Sequence, residues 1–119
     1  MKKRKISILL LMALFCWPFN FAYAGQMENE IDHLLNYIRN SGCVFFRNGD
    51  EHNSAEAVDH ILGKYDYFKE DIRRTEDFIE LCATKSTISK EFYFIKCGNR
   101  EQIKVRDWLM AELLRYRSR

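Results

Sequence analysis

The sequence predicts an α+β fold: a single small domain of about four helices packed around a small, two- to three-stranded sheet. Three observations carry that expectation. Apolar residues recur at helical spacing in four stretches, and between them lie two short aromatic and β-branched runs. Each run closes on a turn pairing Asn with Gly, and no repeat or linker divides the chain. Helices interleaved with so little strand are most economically buried by packing on one small sheet.

The first 24 residues read as a secretory signal. Lys2, Lys3, Arg4 and Lys5 form its positive region, Ile6 to Trp17 its apolar stretch, and Ala22-Tyr23-Ala24 a cleavage site before Gly25. The stretch is shorter than the ~20 residues of a membrane span, and Pro18 and Asn20 interrupt it. The expectation is cleavage after Ala24, no transmembrane segment in the mature form, and a periplasmic or secreted product. Phe15 before Cys16 is too bulky for a lipid-attachment signal. Of 119 residues, 19 are Lys or Arg and 17 are Asp or Glu; losing four basic residues and no acidic ones leaves 25–119 with 15 against 17. A net charge of −2 argues against a nucleic-acid partner.

Met27, Ile31, Leu34, Leu35 and Ile38 trace a first helix over about 27–40, with Gly42 beyond its end. Cys43 to Phe46 is a short strand ended by Arg47-Asn48-Gly49-Asp50. Val58, Ile61, Leu62, Tyr65, Lys69 and Ile72 form one stripe of a second helix, with Asn53 as N-cap and Glu56 completing a capping box. Thr75 is placed to cap a third, shorter helix through Cys82. Thr84 to Ser89 is a polar loop, Phe92 to Ile95 a strand, and Gln102 to Val105 the returning arm of a hairpin over Gly98-Asn99. Val105, Trp108, Leu109, Leu113 and Tyr116 face one side of a last helix. Its basic end, Arg115, Arg117 and Arg119, suits the helix dipole.

Three cysteines follow the leader: Cys43, Cys82 and Cys97. An odd number in an oxidising compartment leaves one thiol over. A Cys82–Cys97 bridge would close a loop of about 15 residues and contribute ~3 kcal/mol. A Cys43–Cys97 bridge is nearly as well placed, since both residues border strand-like runs. Three buried reduced thiols are the remaining alternative. No C-x-x-C spacing points to a zinc ribbon or a dithiol redox site.

Phe46-Arg47-Asn48-Gly49-Asp50, His52, Glu56-Ala57-Val58 with His60, Thr75-Glu76-Asp77-Phe78-Ile79, the Ser86 to Ser89 loop, Tyr93 and Trp108-Leu109 occur in that order. The series resembles the YfeK-like family of small exported bacterial proteins, over nearly all of the chain after the leader. The resemblance implies an envelope location and assigns no chemistry. One position departs from it: where the family's serine loop runs into a glycine, this chain has Lys90.

His52, Glu56 and His60 stand four residues apart, a workable though unspecific set for a divalent metal. It is not the H-E-x-x-H spacing of metalloproteases. Glu56 and His60 also point away from the apolar stripe, which suits a solvated, capping face as well as a site. If a neighbouring element covers that face, the ligand-binding candidates are Arg47, Asn48, Glu56, His60, Ser86 and Ser89, with Lys64 beside them. Arg47 would grip a carboxylate or phosphate, unless it pairs with Asp50 or Glu56. Glu56 could orient His60 as a base for a nearby serine. Tyr65, Tyr67 and Phe68 crowd one helical turn, so at least one of them must lie outside the core. No complete catalytic set is present and no cofactor is expected. The sequence therefore favours a non-catalytic binding module for an envelope protein or a small anionic ligand. The alternative is a small hydrolase or metal-dependent enzyme using Glu56 and His60 with Arg47.

Overall fold

The computed structural model describes residues 17–119, with side chains from residue 25 onward. Most of the expected leader, Cys16 included, lies outside the described residues. Helix α1 (Trp17–Arg39) begins before the predicted start, and its stripe of Ile31, Leu34, Leu35 and Ile38 is buried as the spacing requires. No helix among the described residues is long and apolar enough to cross a membrane.

Strand β1 (Val44–Arg47) turns through Asn48-Gly49 into β2 (Asp50–His52). Asn48 and Gly49 both take positive φ, +52° and +82°, as a two-residue hairpin turn of this hand demands. The sequence reading ended the strand at this turn and missed β2. Asp-Glu-His offers no apolar or β-branched residue, and pairing to β1 alone makes it a strand; its charges suit a sheet edge. Strands β3 (Phe94–Lys96) and β4 (Ile103–Lys104) complete an antiparallel sheet in the order β2-β1-β3-β4. The sheet thus has four strands, one or two more than expected.

Helix α2 (Ser54–Phe68) begins at the predicted cap. Asn53 Oδ1 accepts the Glu56 N–H at 2.9 Å, and the Glu56 carboxylate accepts the Asn53 N–H at 3.0 Å. Gly63 is carried within it, but the helix stops four residues short of Ile72, giving way to a 3-10 turn (Lys69–Asp71) that returns Ile72 to the core. Helix α3 (Thr75–Cys82) is capped differently from the prediction. The Asp77 carboxylate accepts the N–H groups of Arg73 and Arg74, each at 3.0 Å. Thr75 is instead buried in the first turn, its hydroxyl donating to Glu30 at 2.5 Å. Helix α4 (Val105–Arg117) closes the domain.

The helices pack on one face of the sheet. Phe45 and Ile95 are cross-strand partners, and both are buried with Val58, Ile61, Phe78, Ile79, Leu109 and Leu113. Tyr65 packs edge-on against Phe78, while Tyr67, 80% exposed, is the aromatic left outside.

An ionic network joins α1, α3 and α4. Arg117 donates to Glu30 at 2.7 and 3.0 Å and to Glu76 at 2.9 and 3.1 Å. Its guanidinium holds the Glu76 carboxyl down to about 2 and keeps Glu30, which is buried, below the usual carboxylate range. The buried Glu112 is held the same way by Arg115 and, through a 2.6 Å contact, by His33. Arg117 is therefore a structural tie between helices, and Arg115 a partner of Glu112 within its own helix, where the sequence suggested dipole complementarity.

The disulfide joins Cys43 to Cys97, which corrects the preferred Cys82–Cys97 pairing. Register explains the choice: Val44 faces Lys96 across β1 and β3, so the next pair outward is Cys43 with Cys97, 4.5 Å apart at Cα. Cys82 is fully buried and free, and burial pushes its thiol up to about 11. We expect the oxidised protein from residue 25 on to show no thiol to a disulfide reagent in its native state and one after unfolding. Reduction should destabilise it by about 4 kcal/mol, the loop entropy of a bridge this long. A native thiol titre of one would contradict the burial of Cys82, and a higher titre the bridge as well.

Candidate functional site

Strand alternation places Phe45 and Arg47 on the same face of β1, Phe45 in the core and Arg47 two residues on, at the strand's end. There it meets the side of α2 that carries His60 and Lys64, one turn apart. The third wall is Tyr93, just before β3. Its backbone is fixed on both sides, its N–H donating to Thr84 O at 2.9 Å and its carbonyl accepting from Val105 at 3.0 Å.

Tyr93 centres the polar contacts. Its phenolic oxygen lies 2.9 Å from His60 Nε2 and 3.4 Å from Lys64 Nζ, and Lys64 also donates to the Lys85 carbonyl at 2.8 Å. An ammonium is a donor only, so the phenol accepts from Lys64, and toward a neutral imidazole it can donate its own proton to His60 Nε2. That arrangement needs a neutral imidazole with its proton on Nδ1. Burial, helped by the charges of Arg47, Lys64 and His52, brings His60 down to about 4, so the ring is neutral at pH 7. Among the described residues the Nδ1 proton finds no acceptor. Burial, with Arg47 and Lys90 nearby, also lowers Lys64, and burial raises the Tyr93 hydroxyl.

Arg47 and Lys64 lack counter-ions. Among the described residues neither is in a salt bridge, whereas Arg106, Arg115 and Arg117 each are. The expected pairing of Arg47 with Asp50 or Glu56 does not form, because Glu56 is turned to the helix N-terminus. Beside the cluster is a notch of about 20 Å³ with an apolar surface, lined by Phe45, Phe46, Ala57, Ile61 and Val105 together with Arg47, His52, His60 and Tyr93. A wider cleft of about 300 Å³ lies between Gln26 and Arg73 to Glu76; its Arg117 is engaged by Glu30 and Glu76 and its Arg74 by Asp77, while its Arg73 is in no salt bridge among the described residues.

Several predicted residues meet here and others do not. Ser89 Oγ donates to Asn48 Oδ1 at 2.7 Å, tying the serine loop to the hairpin turn, and Ser86 Oγ accepts the Ser89 N–H at 3.3 Å. Neither hydroxyl is hydrogen-bonded to His60, and no Glu56–His60 hydrogen bond forms. The metal set is not assembled either: among the described residues no group of three His, Cys, Asp or Glu side chains could hold an ion. His52 lies 3.7 Å from Glu56, whose carboxyl is kept low by its cap bond, while His60 has turned to Tyr93. Sequence reasoning missed Tyr93 as a site residue, since an aromatic in a strand-like run carries no signal of a hydroxyl aimed at a helix 33 residues away.

Lys90 takes φ +64°, the left-handed region. That backbone is one that glycine adopts without strain. Lysine keeps a cation near Lys64 at the cost of strain. We expect Lys90→Gly to raise stability by about 0.5 to 1 kcal/mol, the left-handed penalty less glycine's extra chain entropy; a loss in chemical denaturation would contradict the loop geometry. A second expectation concerns pH. With His60 near 4 in the fold and about 6.5 unfolded, the unfolded chain binds the proton first as pH falls, so this group removes stability between about 6.5 and 4. His60→Gln should flatten the melting temperature over that window relative to wild type, and parallel curves would rule out a buried neutral His60.

Comparison with known proteins places this geometry in a family. Among curated proteins the chain is 34% identical over 95 residues, 78% of this chain and 77% of the other, to the uncharacterized protein YfeK of Salmonella typhimurium. No solved structure matches it. A family model, DUF5329, described as a family of unknown function, matches residues 25–117. The chain belongs to that family, and the YfeK-like resemblance read from its motifs is correct.

Proposed function

We propose that this is an exported, non-catalytic binding domain whose ligand presents a small anionic group to Arg47, His60 and Lys64. The observation that carries the reading is the convergence of two cations without counter-ions on a half-buried hydroxyl and imidazole. Cations left unpaired in a partly desolvated site favour an anion there, since a charge-assisted hydrogen bond contributes about 1.5 to 3 kcal/mol. Binding without turnover is supported by Glu56, Ser86 and Ser89 each being engaged away from His60. Export is supported by the disulfide and by a family match that begins at residue 25, just after the expected cleavage site.

The test is titration of the purified, isotope-labelled protein with sodium phosphate and sodium acetate against a chloride background. The reading requires saturable shifts at His60, Lys64, Asn48 and Tyr93 with at least one of these anions. Arg47→Gln should weaken binding by roughly tenfold, one charge-assisted contact. An anion offsets the neighbouring positive charge, so it should raise the His60 pKa from about 4. Binding then takes up a proton and tightens as pH falls. The absence of any saturable response to either anion would refute the reading.

A further inference from the structure

We infer that the anion is a carboxylate carrying one small aliphatic substituent, with the carboxylate beside Arg47 and the substituent in the apolar notch; this rests on the anion-binding reading above. The notch is the reason. Phe45, Phe46, Ala57, Ile61 and Val105 line it beside Arg47, His52, His60 and Tyr93, the surface it exposes is apolar, and its volume of about 20 Å³ holds one group of methyl or water size. A water needs two to four polar partners, which apolar walls do not give. A methyl there gains the transfer free energy of an apolar group. Of the polar residues that line the notch, Arg47 offers a planar fork that matches two carboxylate oxygens, and His60 lies beside it.

Phosphate and sulfate fit this division poorly. They are polar on every side, so an oxygen turned toward the notch would lose its hydration without a hydrogen bond. A carboxylate with a short stub separates the two chemistries as the site does. Such a group occurs in free short-chain acids and at the carboxyl terminus of a peptide ending in alanine. Both share the recognised chemistry, and N-acetylalanine beside propionate tells them apart.

The experiment is a titration series of formate, acetate, propionate, pivalate, N-acetylalanine and inorganic phosphate, followed by the same His60 and backbone signals. Acetate or propionate should bind about fourfold tighter than formate, the effect of one buried methyl. Pivalate should fall below propionate because the notch does not admit its branches, and phosphate should bind no tighter than formate. N-acetylalanine tighter than propionate would identify a peptide terminus as the source, and the reverse order a free acid. Ile61→Val, a conservative enlargement of the wall, should move the optimum toward the bulkier acid. A flat acid series with phosphate the tightest ligand would overturn this inference while leaving anion binding intact. A methyl gain unaffected by Ile61→Val would place the substituent elsewhere and overturn it as well. If no member of the series binds, the anion-binding reading falls too.

Discussion

The register of β1 against β3 governs both the core and the site. Phe45 faces Ile95 in the interior, and the same alternation sends Arg47 to the same side of the sheet, against α2. A slip of one residue would turn the whole set outward. Two covalent or conformational devices hold the register from opposite ends of the strand. At one end the Cys43–Cys97 bridge joins residues that already face one another; at the other, Asn48 and Gly49 adopt the only backbone that folds the hairpin back on itself. The position of the site cation is therefore a consequence of how the strand packs, with no local motif dedicated to it.

The charged residues fall into two environments with opposite logic. Each buried carboxylate, Glu30 and Glu112, has a guanidinium in hydrogen-bond contact, which offsets its desolvation; Arg117, on Glu30 and Glu76, ties three helices together, while Arg115 meets Glu112 within one helix. Around Tyr93 the cations Arg47 and Lys64 are in no salt bridge among the described residues, and burial weakens the hold of the neighbouring groups on their protons: His60 is neutral at pH 7, and Lys64 is less basic than a free lysine. The first arrangement is closed and complete. The second is left open to an opposite charge from outside, which is why the narrower notch and not the wider cleft is the better candidate for binding.

The serine loop carries a strain that the sequence does not announce. The backbone at Lys90 is left-handed, so a lysine there is a strained residue that adds charge beside Lys64. The loop also reaches the hairpin turn through Ser89 and Asn48, residues 41 apart in the chain.

Much was legible from local physics. Helical spacing located the buried stripes of α1 and α4 and, in α2, Val58 and Ile61 but not Leu62, which is exposed; Asn53 and Glu56 announced their reciprocal cap, and Asn48-Gly49 marked its turn, because caps, turns and amphipathic faces are settled by residues a few positions apart. The α+β class and the single domain of modest size followed from these. What tertiary structure alone decided involves partners distant in the chain. Edge strand β2 exists by pairing, not propensity. Thr75 left the cap for Glu30, and Cys97 chose Cys43 over Cys82 because strand register brought the first within bridging distance and packing enclosed the second. His60 turned from Glu56 to Tyr93. No spacing along the sequence encodes such meetings, since each depends on how the sheet and helices close around a shared core.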